Sequence, residues 1–111
     1  MYTHNDRFKF MNALDAHLEK LDLELRDMQR RVTLSNKDAL MEYHAQLNSL
    51  EARQQEIISC VEKLERASYE TFISDQDQLA DMVIDFGFEI RSTADEVLRL
   101  TTSNWVFHGY A

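Results

Sequence analysis

Histidine, cysteine and carboxylate side chains are where chemistry would have to come from in this chain of 111 residues, which holds 4 His, 1 Cys and 20 Asp plus Glu. A metal centre between helices needs histidines one turn apart, or Glu-x-x-His runs on facing helices, because those spacings aim two ligands at one ion. His4, His17, His44 and His108 show neither spacing. Ser, Cys and Lys nucleophiles stand in no recognisable local motif, and Gly87 and Gly109 alone cannot form a phosphate-cradling loop. Cys60 has no second cysteine to pair with inside the chain and reads as a buried or half-buried thiol of a reducing compartment. No catalytic residue, metal or cofactor is therefore expected, and the function reads as non-enzymatic.

One carboxylate pattern asks for an explanation. Asp77, Asp81, Asp85 and Glu89 recur every four residues, and no Lys or Arg lies between Thr71 and Ile90. Like charges at that spacing oppose a helix by about 0.2–0.5 kcal/mol per pair, so a compensating charge is expected nearby. Arg7, Lys9, Lys63 and Arg66 would supply it if a bundle returned this stretch beside the start of the first helix and the end of the second. A basic protein partner would supply it otherwise, and a divalent ion is a third reading. The net charge of -8 argues against nucleic acid as a partner. Arg26, Arg30, Arg31 and Lys37 make only a small basic tip without interleaved aromatics. The opening MYTHNDRFKF has no apolar core of the signal-peptide kind, and no 18-residue apolar run occurs anywhere. Neither secretion nor membrane spanning is expected, and the expected location is cytoplasmic.

The elements that would position these groups are helices, since Pro is absent and Gly numbers only 2. The length suits one domain, residues 1–111, with one thin core. Met11, Leu14, Leu18, Leu21, Leu25, Met28 and Val32 step alternately three and four residues apart, the a/d pattern of a heptad repeat. A second ladder runs through Leu40, Tyr43, Leu47, Leu50, Gln54, Ile57, Val61 and Leu64. Between them, Ser35 or Asn36 can cap a new helix, and the two heptad frames do not match across the gap, so the spacing predicts a break there. A short connection makes the two helices antiparallel neighbours. Their register is left open between Met28 level with Leu40 and Val32 level with Tyr43. Gln54, the polar residue of its ladder, reads as a register-setting position within hydrogen-bond reach of His17.

Leu79, Val83, Phe86, Ile90, Thr93, Val97 and Leu100 form a third ladder, with a cap expected at Ser74 or Asp75 and a single helix running through that point kept as the alternative. The expected helices are thus about 6–34, 36–70 and 75–102, followed by an aromatic tail over 103–111. That tail carries Trp105, Phe107 and Tyr110 and no charged side chain, so it is expected to pack on the bundle end or dock on another chain. Beside the third ladder, Ala80, Gly87 and Ala94 recur every seven residues, a line that would let another helix approach to about 8 Å. Phe88 and Leu98 fall outside the core frame and widen the apolar arc of this helix beyond what one hairpin can cover. The sequence therefore predicts an all-α, antiparallel three-helix bundle that self-associates as a homodimer. The expected function is that of a helical protein–protein interaction protein, an adaptor, assembly subunit or escort; the alternative is a module binding an apolar small molecule between its helices.

Overall fold

A computed structural model describes the backbone over residues 4–35 and 37–109 and the side chains over 6–34, 38 and 40–99. Three helices account for it: α1 (His4–Ser35), α2 (Lys37–Arg66) and α3 (Tyr69–Gly109). Each packs against both of the others, giving a three-helix bundle 63 Å long and 20 × 16 Å across. At about 1.5 Å per residue, the 41 residues of α3 run nearly the whole of that length.

Cross-helix contacts give the path of the chain. Arg7 meets the carbonyl of Leu64, Asp22 meets Gln54 and Gln29 meets Glu51, so numbers on α2 fall as those on α1 rise. Along α1 and α3 they rise together, from Phe10 against Phe72 to Leu21 beside Gly87. Equal steps from the Asp22–Gln54 pair bring Val32 level with His44, next to Tyr43, which chooses the second of the two registers. Val32 and Tyr43 are both buried, whereas Leu40, the first rung of the second ladder, is 37% exposed because it lies beyond the last covered turn of α1. The same register overturns the expected His17–Gln54 contact. His17 falls level with Ser59, and Gln54 Nε2 instead donates to Asp22 Oδ1 at 2.6 Å, while Asp22 Oδ2 holds Arg26 at 3.0 Å. Asp22→Ala and Gln54→Ala, combined in a double-mutant cycle, should show a coupling of about 1 kcal/mol by denaturant melting. Additive losses would mean that this bond contributes nothing to register.

Ladder residues make the core: Leu21, Leu25, Met28 and Val32 on α1, Tyr43, Leu50, Ile57 and Leu64 on α2, and Leu79, Val83, Phe86, Ile90 and Val97 on α3 are all buried. Burial holds the Tyr43 hydroxyl above the ordinary tyrosine range, with Glu42 and Glu96 adding to the effect. Phe72 and Gln76 are buried as well, which extends the third seam a further two turns toward the N-terminus than its expected start.

That extension moves the second break. It falls at 67–68 rather than at 74–75, so Ser74 and Asp75 lie inside α3. Ser68 is the cap: its Oγ accepts from the Thr71 N–H at 3.2 Å, and its carbonyl accepts from the Phe72 N–H at 2.8 Å. One Nη of Arg7 shares its two hydrogens among the carbonyls of Leu64, Glu65 and Ala67 at 2.9, 3.1 and 2.9 Å, which supplies donors at the end of α2, where the Leu64 carbonyl also accepts from the Ala67 N–H. The same guanidinium stands 4.7 Å from the centre of the Phe72 ring. At the other end α3 continues helical to Gly109, past the expected stop near 102, and no proline or glycine precedes Gly109 there to interrupt it. The side chains of Trp105 and Phe107, and Tyr110 entirely, lie outside the described residues.

Candidate interaction surface

The outer face of α3 carries several exposed large apolar side chains. Ile84 and Phe88, one turn apart, are 51% and 61% exposed, and Leu98 is 48% exposed. Isolated apolar residues at a surface are ordinary, but neighbours of this size on one helix face form a patch. Carboxylates and two arginines border it: Asp77, Asp81, Asp85, Arg91, Asp95 and Arg99 are all exposed.

The small-residue line lies elsewhere. Gly87 is buried and faces Leu21 of the chain's own α1; a β-carbon placed on it would meet Leu21 Cδ2 at 3.5 Å and Cδ1 at 3.9 Å. Ala94 packs against the core and Ala80 is half-buried. Gly87 and Ala94 therefore belong to the α1–α3 contact, while Phe88 and Leu98 are exposed, Phe88 at the edge of the α2–α3 groove and Leu98 at the edge of the α1–α3 cleft. Because those distances are ordinary van der Waals contact, Gly87→Ala should stabilise the fold by about 1 kcal/mol through helix propensity. Gly87→Leu should instead cost about 1–3 kcal/mol by driving into Leu21. Thermal or denaturant melts check both signs, and a loss for alanine would show that the helices need a closer approach than these contacts indicate.

Neutralisation of the acidic stripe by the four expected cations does not form among the described residues. Arg7 is committed to the α2 carbonyls and the Phe72 ring, and Lys9, Lys63 and Arg66 make no ion pair with the stripe. Glu89 is instead paired with Arg53 at 2.7 Å, and Asp85 adds to the field that holds the Arg53 guanidinium charged, after the Glu89 hydrogen bond itself. Asp77 and Asp81 are left facing solvent. Arg53 was legible only as one more charge on α2, since nothing local in the sequence aims it at residue 89.

Clefts flank α3 on both sides, among them an open groove of about 500 Å³ between α2 and α3 lined by Gln46, Leu50, Phe88 and Glu96. Between α2 and α3, Cys60, Leu64, Leu79 and Met82 line an open cleft of about 340 Å³, with Lys63 and Asp75 also on its wall and the Cys60 thiol free and half-buried. Between α1 and α3, Glu24, Met28, Ile90, Arg91 and Ala94 line one of about 260 Å³, where Oε2 of Glu24 is buried with no hydrogen-bond partner among the described residues. On its rim, Arg30 and Arg31 bond both oxygens of Asp27 at 2.7 and 3.0 Å; the Arg30 bond leads in holding that carboxyl below the ordinary aspartate range. Among the described residues no group of three His, Cys, Asp or Glu side chains could hold a metal ion. None of their helices is long and apolar enough to cross a membrane.

No family model, no curated protein and no solved structure matches the chain. Any reading of function rests on these surfaces alone.

Proposed function

We propose that this chain is a non-enzymatic, cytoplasmic helical interaction protein, an adaptor, assembly subunit or escort that docks through the outer face of α3 and self-associates as a dimer. The observation that carries the reading is the adjacent exposure of Ile84 and Phe88 halfway along a helix whose opposite face supplies the core. Large aromatic side chains ringed by polar groups are the usual energetic centres of protein contacts. Asp77 and Asp81, with no ion pair among the described residues, suit a partner that brings basic side chains to that rim.

A second reading is favoured by the α2–α3 cleft, whose volume of about 340 Å³ lies at the small end of the range that ligand sites occupy. An apolar small molecule beside Leu64, Leu79 and Met82 is the occupant it would suit. Both readings are tested together by placing a photo-crosslinking side chain at position 88 or at position 82 in the expressing host. Protein adducts at 88 are the expected result. Absence of any adduct at 88, with a small-molecule adduct at 82, would replace the first reading by the second.

A further inference from the structure

We infer that the α2–α3 junction is a latched hinge: when Arg7 lets go, α2 and α3 join into one continuous helix, and two copies of the chain exchange their α3 helices. This inference rests on the junction and on the register of the helices, and it needs no partner on the outer face of α3.

The hydrogen bonds of the junction carry the first part of the argument. In an unbroken helix a carbonyl accepts from the N–H four residues on, so the carbonyls of Leu64, Glu65 and Ala67 would take the N–H groups of Ser68, Tyr69 and Thr71. Side chains intervene. Arg7 donates to all three carbonyls, and Ser68 Oγ accepts from the Thr71 N–H at 3.2 Å. Only Ala67 and Ser68 separate the two helices, neither is glycine or proline, and no described residue has a positive φ. Nothing in the backbone chemistry at 67–68 stops a helix, and the Ser68 carbonyl already accepts from the Phe72 N–H as it would in one. The bend is thus held by two side chains. Release is easy, because Arg7 lies in the opening turn of α1 and helix ends open at little free-energy cost.

Helical geometry carries the second part. Arg53 and Glu89, which pair across α2 and α3, are about ten full turns apart at 3.6 residues per turn, so in a continuous helix they stand on one side. Cys60 and Met82, on the walls of the α2–α3 cleft, are about six turns apart and share that side. Each pair is centred on residue 71, about one turn beyond the break. Two continuous helices packed antiparallel about a twofold axis at residue 71 therefore keep the α2–α3 register of the monomer, with Arg53 of one copy against Glu89 of the partner subunit. The first helix fits this arrangement too. Counting seventeen residues on from Gln54 and seventeen back from Asp22, to which it is bonded, residue 71 comes level with residue 5, at the start of α1. The two α1 helices then run outward from the axis end to end without overlapping, each on its own α2 and against the partner's α3. The helix contacts of the bundle re-form between copies, and the exchange loses only the junction.

Sedimentation of the full chain tests the inference. Arg7→Ala should raise the dimerisation constant about a hundredfold, roughly tenfold for each of the two latches, with helical content kept. Ser68→Ala, which removes the cap and favours helix, should raise it as well, and Ala67→Gly with Ser68→Gly should lower it by about tenfold or more. The continuous helix over 37–109 is about 110 Å long, so solution scattering of the dimer should show a maximum dimension near that length, against 63 Å for the monomer. Exchange is read directly by cross-linking. Ser49→Cys in one copy and Ser92→Cys in another, both with Arg7→Ala and Cys60→Ser, should join through a short bismaleimide across the α2–α3 groove that residues 49 and 92 both line. A folded Arg7→Ala or Ser68→Ala chain no more dimeric than wild type overturns the inference, and so does an Arg7→Ala dimer without the 49–92 cross-link. Neither outcome bears on the outer face of α3, which photo-crosslinking at position 88 tests separately.

Discussion

Phe72→Ala is expected to lower the unfolding free energy by about 3–5 kcal/mol, the largest single loss in the bundle. Its ring is fully buried, meets Phe10 edge-on with centroids 5.6 Å apart and carries the Arg7 guanidinium over one face at 4.7 Å. Truncation therefore leaves a cavity and also removes an aromatic pair worth about 0.5–1.5 kcal/mol beyond burial. It further unseats the side chain that caps α2. Arg7 reaches the three carbonyls at the α2 end from a position steadied by that ring, so the loss should spread across the junction of all three helices. Phe72→Leu keeps most of the volume and should recover more than half of the loss. Chemical denaturation with an unchanged slope is the measurement; a loss for alanine under about 1.5 kcal/mol would place Phe72 outside the cooperative core.

Leu21→Ala should cost about 4 kcal/mol, toward the upper part of the range for buried leucines. The reason is what lies opposite. Leu21 is fully buried, and its two methyl groups face Gly87, a residue with no side chain to move into the vacated space. Collapse of α3 toward α1 is the only other way to close the gap, and it is opposed by Phe86 and Ile90, which are locked on the same helix. The stabilisation from Gly87→Ala should accordingly be larger in the Leu21→Ala background than in wild type, by about 0.5 kcal/mol or more, since the added methyl then fills space. Strict additivity in that cycle would mean that Leu21 and Gly87 do not share a cavity. Both variants bear on the monomer fold, so an unchanged dimerisation constant among folded molecules is the matching expectation.

The balance of functional readings turns on where the polar groups ended up. Asp22 is bound to Gln54 between α1 and α2, and Arg53 to Glu89 between α2 and α3, which ties these groups into the bundle. Among the described residues, Asp77, Asp81, Asp95 and Arg99 make no ion pair and border an apolar patch on one helix. That distribution suits recognition between helices better than proton transfer or metal ligation, both of which need convergence of such groups in a cleft.

Much of the bundle was legible in residue order alone. Apolar steps of three and four define helices by covalent geometry, so Leu21, Leu50 and Phe86 could be assigned to a core before any neighbour was known. The absence of proline, and a frame mismatch near residue 36, likewise predicted long helices with a break there. Partnership across helices was not legible, because it depends on register, and register is decided by the sum of many packing contacts rather than by any local motif. Gln54 could be recognised as a polar residue in an apolar seam, but whether it met His17 or Asp22 depended on a shift of little more than one turn. The start of α3 was hidden for a related reason. Ser74 and Asp75 are as good capping residues as Ser68, and only burial of Phe72 beneath Arg7, a contact spanning the whole hairpin, makes Ser68 the cap. Gly87 shows the same division: its type announced a close approach, while tertiary packing decided that the neighbour was Leu21 of its own chain and left Phe88, the next residue, facing outward.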